Sequence, residues 1–156
     1  MRFVKLLLTA IITIGTYHGP RGAVAAQPIK LWNFSTGSAV YSSPALSSDG
    51  KVVYVASFDY SLYAINTVDG SKKWSFPTGG SVESSPALSS DGKAVYVGSD
   101  DKSLYAINTV DGTKLWSLVL GLELGLGLST PTLSSDGKVV YVGSENNEVY
   151  AIVDHC

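Results

Sequence analysis

Three tryptophans recur at a fixed interval along this chain of 156 residues. Trp32, Trp74 and Trp116 are each separated from the next by 42 residues. Two ten-residue segments also recur without change: 42–51 as 84–93, and 61–70 as 103–112. Such self-similarity is the signature of a repeat architecture, in which each unit buries its core against its neighbours. The repeat period therefore constrains the fold more than any local pattern does.

Each repeat divides into four short strands. In the first complete repeat, an Asp49-Gly50 turn separates strands at 42–47 and 52–57, a third strand covers 61–66, and a fourth carries Trp74. Asp-Gly between apolar runs favours a tight hairpin because glycine accepts positive φ. The middle strands are apolar without clean alternation, which is typical of strands covered on both faces. The sequence predicts an all-β fold of β-propeller repeats, each with four antiparallel strands.

The chain divides into a leader and one repeat domain. Residues 1–26 combine Arg2 and Lys5 with an apolar run and the small residues Ala23-Val24-Ala25-Ala26, which predicts a secretory signal peptide. An uncleaved membrane anchor is the less favoured alternative, since a spanning helix needs about 20 apolar residues. Residues 27–156 form the repeat domain. Its blades are predicted at about 40–76, 82–118 and 129–153, with 29–34 as an extra outer strand.

Composition and charge limit which cellular compartments and which partner classes are expected. Hydrophobic residues make up 45% of the chain, enough to bury a core. Loss of residues 1–26 removes three basic residues and no acids, which leaves 8 basic and 13 acidic residues and a formal charge of −5. No basic patch is visible, so nucleic acid is not expected as a partner. We expect a secreted or periplasmic protein. The single cysteine, Cys156, is either a thiol that bridges two copies or an incidental residue.

The repeat resembles that of a known family. The residues Tyr63-Ala64-Ile65-Asn66, Asp69-Gly70 and Lys73-Trp74, with their copies at 105–116, are similar to the tryptophan-docking repeat of the pyrroloquinoline quinone (PQQ) type β-propellers. The resemblance covers about residues 29–153. It implies that Trp32, Trp74 and Trp116 lie on outermost strands and pack between neighbouring blades. It implies little about activity, because one fold hosts many functions.

Catalytic residue sets are missing from the sequence. Enzymes of the resembled family hold PQQ and a calcium ion, several with adjacent cysteines, and this chain has none adjacent. The two histidines, His18 and His155, lie in the predicted leader and at the tail, which leaves no two-histidine metal site and no Ser-His-Asp set. The recurring Asp-Gly acids, such as Asp49, Asp91 and Asp136, are explained as turn formers. No cofactor or metal is expected on this chain.

The residues that differ between repeats indicate a binding face. They lie in the loop between the second and third strands and in the inter-blade connections 35–39, 78–82 and 118–128, which we expect to open on one face of the propeller. Ordinary solvated turn residues are the alternative interpretation. The leucines of 118–128 either form an apolar contact patch or pack between blades. The candidate loop residues are Phe58, Asp59, Tyr60, Asp100, Asp101, Lys102, Glu145, Asn146 and Asn147.

The sequence thus favours a secreted, non-enzymatic scaffold that binds a protein partner or a small ligand. Two alternatives remain open: a fragment of a PQQ-dependent quinoprotein oxidoreductase, with PQQ and calcium, or a scaffold of the outer-membrane assembly type. Strand counting adds an expectation about assembly. Three blades cannot plausibly close a ring, since propellers use about 4 to 8. The chain is therefore expected either to form a homodimer that completes a six-bladed ring or to stay an open arc.

Overall fold

The computed structural model describes residues 27–120 and 127–154, and these form three antiparallel sheets with no helix among them. The first blade contains β1 (Ala45–Leu46), β2 (Val52–Ser57), β3 (Ser61–Asn66) and β4 (Lys72–Pro77). The second contains β5 (Ala87–Leu88), β6 (Ala94–Gly98), β7 (Ser103–Asn108) and β8 (Lys114–Val119). The third contains β9 (Thr132–Leu133), β10 (Val139–Ser144) and β11 (Glu148–Val153). The predicted all-β blade fold is confirmed, and the sheets do not close into a ring.

Strand order within each blade follows the chain. The sheets run β1-β2-β3-β4 and β5-β6-β7-β8, whereas the third ends at its β11 edge. The innermost strands have two residues each, shorter than the six expected for 42–47. Side-chain bonds replace part of the ladder there: the Ser42 hydroxyl donates to the Ala56 carbonyl at 2.9 Å and accepts from the Ala56 amide at 3.0 Å.

The turns explain why the repeats fold alike. In the first blade the Asp49 carboxylate accepts hydrogen bonds from the Ser47 hydroxyl at 2.7 Å and the Lys51 amide at 3.1 Å. Gly50 follows at φ +69°, in the left-handed region that only glycine adopts at little energetic cost. The same bonds recur at Asp91 and Asp136. The turn-forming role predicted for these acids is confirmed.

The core lies between blades rather than within one. One buried cluster joins Tyr54 and Leu62 of the first blade to Val82 and Val97 of the second. A second cluster joins the second blade to the third and includes Leu128. Strand β6 is buried on both faces because Val95 and Val97 pack toward the first blade and Ala94 and Tyr96 toward the third. Removal of any neighbour would therefore expose core side chains.

The tryptophans dock each blade onto the following one. The indole nitrogens of Trp32 and Trp74 donate to the backbone carbonyls of Thr67 and Thr109, at 2.8 Å and 3.1 Å. Trp116 makes the equivalent bond to the Asp154 carboxylate at 3.1 Å. The inter-blade packing implied for the three tryptophans by the repeat is present in the structure.

Residues 29–34 form no strand within this chain. A strand needs a neighbouring strand to pair with. In the first blade, the edge of β3 is already paired with β4, so that blade has no third strand left for residues 29–34. The expected extra outer strand is therefore not paired into a sheet among the described residues. Among the described residues, no helix is long and apolar enough to cross a membrane. The predicted leader, residues 1–26, lies outside the described residues, as do 121–126 and Cys156.

Candidate functional site

The three loops between second and third strands lie at one end of the blades. In each loop a non-glycine residue adopts positive φ: Tyr60 at 68°, Lys102 at 73° and Asn147 at 70°. The left-handed region costs an L-residue about 1 to 2 kcal/mol, which glycine would avoid. Glycine is used in that conformation in the turns at the opposite end, for example at Gly50 and Gly92. At the positions with positive φ, this end of the blades therefore carries side chains, whereas the opposite end carries glycine.

The inter-blade connections meet the same loops, as expected. The Phe58 amide donates to the Ala39 carbonyl at 3.0 Å, and the Asp100 amide donates to the Ser81 carbonyl at 2.9 Å. We call the surface formed by loops 58–60, 100–102 and 145–147 with the adjoining connections the loop face. Backbone bonds between its segments hold it in one shape, which suits recognition by a fixed surface.

Asp59 is not a solvated turn residue. Its Oδ2 accepts hydrogen bonds from the Gly37 amide at 2.6 Å and from the Tyr63 hydroxyl at 2.7 Å, while its Oδ1 is buried without a partner. Burial raises the pKa of Tyr63, and the bond to Asp59 raises it further. Asp59 thus joins the connection that enters the first blade to that blade's third strand.

Asp101 repeats this arrangement in the second blade. Its Oδ2 accepts from the Gly79 amide and the Tyr105 hydroxyl, both at 2.6 Å, and its Oδ1 accepts from the Ser103 amide at 2.9 Å. The interpretation of Asp59 and Asp101 as ordinary solvated turn residues does not agree with these contacts. The sequence shows the carboxylates but not the amide that comes to each from 22 residues away.

The third blade replaces this aspartate by Asn146. Its amide nitrogen donates to the Tyr150 hydroxyl at 2.7 Å, and its Oδ1 accepts from the Glu148 amide at 3.1 Å. The bond to the connection comes from the neighbouring residue, since the Gly127 amide donates to Glu145 at 3.2 Å. The loop is thus fixed by different atoms. The next residue, Asn147, has positive φ, as Tyr60 and Lys102 do in the other two loops.

The exposed residues of the loop face differ in chemistry from blade to blade. Phe58 stacks edge-on against Tyr41, with ring centroids 4.9 Å apart, and Tyr41 is 72% exposed. Phe58 and Tyr41 thus form an aromatic pair on the first blade. The counterparts of Tyr41 in the later repeats are Glu83 and Leu128, each directly before the Ser-Ser-Pro or Ser-Thr-Pro segment. Sequence reasoning missed this position, although its variation beside an invariant segment was visible.

An acidic cleft lies between the second and third blades. It has a volume of about 540 Å³, and its lining includes Glu83, Asp100, Glu145 and Leu128. Burial raises the pKa of Asp100, and the charges of Glu83, Glu145 and Asp101 raise it further. Repulsion among these carboxylates is relieved by a bound cation or a basic side chain. The loop face is thus aromatic on the first blade and acidic beyond it.

Comparison with known protein families agrees with the repeat architecture. The family model described as outer membrane protein assembly factor BamB, a PQQ-type repeat model, matches residues 23–154. The chain belongs to this family. Comparison with curated proteins gives no match. Membership in this family establishes the β-propeller repeat and agrees with the resemblance carried by the tryptophan motif.

The calcium ion of some PQQ-type propellers requires several oxygen ligands close together. Within 27–120 and 127–154, no three side chains of the ligand types His, Cys, Asp and Glu are grouped so that they could hold a metal ion. The two central loop aspartates, Asp59 and Asp101, already accept bonds from backbone amides and tyrosine hydroxyls. These carboxylates maintain the loops.

Proposed function

We propose that this protein is a secreted or periplasmic, non-enzymatic β-propeller scaffold, and that its loop face binds a polypeptide presenting basic and aromatic side chains. One observation carries the proposal: on a rigid framework of repeats, the exposed loop positions change from the Tyr41–Phe58 ring pair to the carboxylates of Glu83, Asp100 and Glu145. Repeats maintained for stability alone have no need of such differences.

The chemistry of this face selects the partner class. An aromatic pair offers apolar contact and the faces that attract cations, while a cluster of carboxylates favours lysine and arginine. An acidic or purely polar ligand would gain neither contact. The printed description of the family model, an outer membrane assembly factor, agrees with a scaffold in a cell envelope. The small-ligand alternative is less favoured, because the cleft is open and polar rather than an enclosed apolar pocket.

The proposal includes the predicted leader and the two-copy assembly. Secretion implies that the mature chain begins near Ala26 or Gln27, after the small residues, and N-terminal sequencing of exported protein would test this. Two copies in a six-bladed ring would present the loop face twice. The proposal assigns no PQQ and no calcium to the chain, and a stoichiometric quinone absorbance after incubation with both would contradict it.

A peptide array tests the binding face directly. Purified protein is incubated with immobilised 12-residue peptides in four sets: basic-aromatic, basic, aromatic and acidic. We expect the basic-aromatic set to bind most strongly, with affinity that falls as salt rises. The triple variant with Glu83→Gln, Asp100→Asn and Glu145→Gln should lose this binding.

A matched control removes equal charge from the opposite end of the blades. Asp49→Asn, Asp91→Asn and Asp136→Asn together neutralise three carboxylates of the Asp-Gly turns. This variant should retain the peptide preference at a temperature where it is folded, verified by circular dichroism. Equal binding of all four sets, or equal loss in both triple variants, would contradict the proposal.

A further inference from the structure

The loop face holds three non-glycine residues in the left-handed backbone region, Tyr60, Lys102 and Asn147, with φ between 68° and 73°. Every other residue with positive φ in the described part of the chain is a glycine, and each of these glycines follows an aspartate in a turn at the opposite end of the blades. An L-residue in this region brings its Cβ too close to the following carbonyl oxygen, which glycine avoids. The chain thus has backbone strain at one end of the blades only.

Tyr60 is the least expected of these side chains in this conformation. Asparagine visits the left-handed region routinely, because its short polar side chain can form local hydrogen bonds, so Asn147 is a common solution. A bulky aromatic residue at positive φ is an outlier. Residue type therefore does not explain the conformation of the first loop.

The side chain of Tyr60 makes few contacts that would offset this strain. Tyr60 is 51% exposed. Within the described residues, its ring has no aromatic partner and its hydroxyl has no hydrogen bond. Tyr63, three residues later, shows the contrast, because its hydroxyl donates to Asp59 at 2.7 Å and its ring packs against Phe34. The strain at Tyr60 is therefore not offset by a hydrogen bond or ring contact of its own side chain.

Neighbouring hydrogen bonds hold the backbone of Tyr60 in place. Its carbonyl oxygen accepts from the Thr78 amide at 2.7 Å and from the Thr78 hydroxyl at 3.0 Å. The preceding residue, Asp59, is fixed by the Gly37 amide and the Tyr63 hydroxyl. Strained residues persist where the surrounding contacts over-determine the backbone, and they cluster at binding and catalytic sites. The loop therefore keeps an exposed ring on a fixed backbone.

Tyr60 belongs to the aromatic part of the loop face. It lies two residues after Phe58, whose ring contacts that of Tyr41 with centroids 4.9 Å apart. The counterparts of Phe58 and Tyr60 in the second loop are Asp100 and Lys102. The carboxylates that line the acidic cleft belong to the second and third blades. A partner's cationic side chains therefore find acids beyond the first blade, whereas its aromatic side chains find rings on the first blade.

We propose that Tyr60 is the specificity-determining residue of the loop face, and that its ring packs against an aromatic side chain of the bound polypeptide. This inference rests on the proposed function and names the residue that selects for aromatic character in the partner. Aromatic pairs prefer edge-to-face or offset-stacked geometry and contribute more than their buried area alone. Glycine at position 60 would give a less strained loop without the ring, so stability and binding oppose each other at this position.

Three substitutions at position 60 separate the ring from the strain. Tyr60→Phe keeps both, Tyr60→Ala removes the ring but keeps a Cβ at positive φ, and Tyr60→Gly removes both. In thermal melts of the full chain, Tyr60→Gly should melt about 1 to 5 °C above Tyr60→Ala, because relief of strain exceeds the flexibility that glycine adds to the unfolded chain. Equal melting temperatures would show that the loop is not strained and would overturn the inference.

Binding is measured by fluorescence polarisation with two labelled 12-residue peptides of equal charge. One contains three lysines and two phenylalanines, and the other has leucine in place of each phenylalanine. Wild type and Tyr60→Phe should bind the phenylalanine peptide about 2- to 10-fold more tightly than the leucine peptide. Tyr60→Ala and Tyr60→Gly should bind the two peptides equally. The control Asn147→Gly, at the same loop position of the third blade, should keep the wild-type ratio.

The peptide results distinguish failure of this inference from failure of the proposed function. If Tyr60→Ala and Tyr60→Gly keep the preference for phenylalanine, the inference is overturned and the binding function of the loop face stands. If Tyr60→Ala weakens both peptides equally and leaves their ratio unchanged, the ring contacts lysine instead, which also overturns it. A wild type that binds neither peptide would overturn the proposed function and this inference with it.

Discussion

The Trp74 indole nitrogen donates a 3.1 Å hydrogen bond to the Thr109 carbonyl, 35 residues away in the next blade. The same ring lies against Gly112, where an added Cβ would come within 2.7 Å of it. Trp74 is 8% exposed and belongs to the cluster that joins the first two blades. The tryptophan that recurs in each repeat is therefore the residue that packs one blade against the next.

Trp74→Ala should lower the free energy of unfolding by about 3 to 5 kcal/mol, the usual effect of truncating a large buried aromatic. Trp74→Phe should have a smaller effect, because it keeps most of the ring contact and loses the bond to Thr109, worth about 1 kcal/mol. Urea denaturation at equal protein concentration measures both. Equal stability of Trp74→Ala and wild type would show that blade docking does not depend on this residue.

Glycine substitutions separate backbone strain from tryptophan packing. Gly50 and Gly112 both have positive φ, at 69° and 76°, but no atom lies within 4 Å of a Cβ added at Gly50. Gly50→Ala should thus destabilise by about 1 to 2 kcal/mol, from strain alone. Gly112→Ala should destabilise by about 1 to 3 kcal/mol more, because the methyl group displaces Trp74. Similar denaturation midpoints for the two variants would contradict the close contact.

Asp101→Ala should destabilise the fold by about 2 kcal/mol, since it leaves the Gly79 and Ser103 amides without their charged acceptor. Asp101→Asn should cost less, because Asn146 performs part of this role in the third blade. Tyr105→Phe is the control that removes only one donor to the carboxylate. Thermal melts should rank the variants with Asp101→Ala lowest, and an effect below about 0.5 kcal/mol would favour the solvated-turn interpretation instead.

Acid should weaken the fold through the Asp-Gly turns. Bonds from the Lys93 amide and the Ser89 hydroxyl lower the pKa of Asp91 from 3.8 to about 2. A carboxylate whose folded pKa is depressed stabilises the fold above its unfolded pKa, and this stabilisation is lost as pH falls from about 4 to about 2. Melting temperatures of wild type and Asp91→Asn should therefore converge across that interval. A constant difference would contradict the linkage.

Ionisation of Asp100 should destabilise the fold, whereas ionisation of Asp91 stabilises it. Its pKa is raised by burial and by the charges of Glu83, Glu145 and Asp101. The ionised form is thus unfavourable in the fold, and protonation relieves it as pH falls toward the unfolded pKa. Asp100→Asn should raise the melting temperature at about pH 7, with the gain vanishing near pH 3. Asp111→Asn is a comparison, since the pKa of Asp111 is lowered by its bonds to Thr113.

The sequence alone was sufficient for the blade architecture. A blade is specified by local chemistry that recurs every 42 to 45 residues: apolar strands, Asp-Gly turns and one docking tryptophan. Turn formation at Asp49 and strand pairing between 52–57 and 61–66 depend on residues close together in the chain. Their pattern is therefore legible without coordinates.

Only the tertiary structure decided what the variable residues do. Asp59 binds Gly37 and Phe58 stacks on Tyr41 because the connection that enters a blade returns beside a loop many residues later. Whether residues 29–34 form a strand was also decided by the tertiary structure. Their sequence matches a fourth strand, yet a strand exists only where a neighbouring backbone pairs with it, and no strand of the described residues pairs with this segment. Local sequence determines which conformation a segment favours, whereas packing between distant segments determines whether its hydrogen bonds are made.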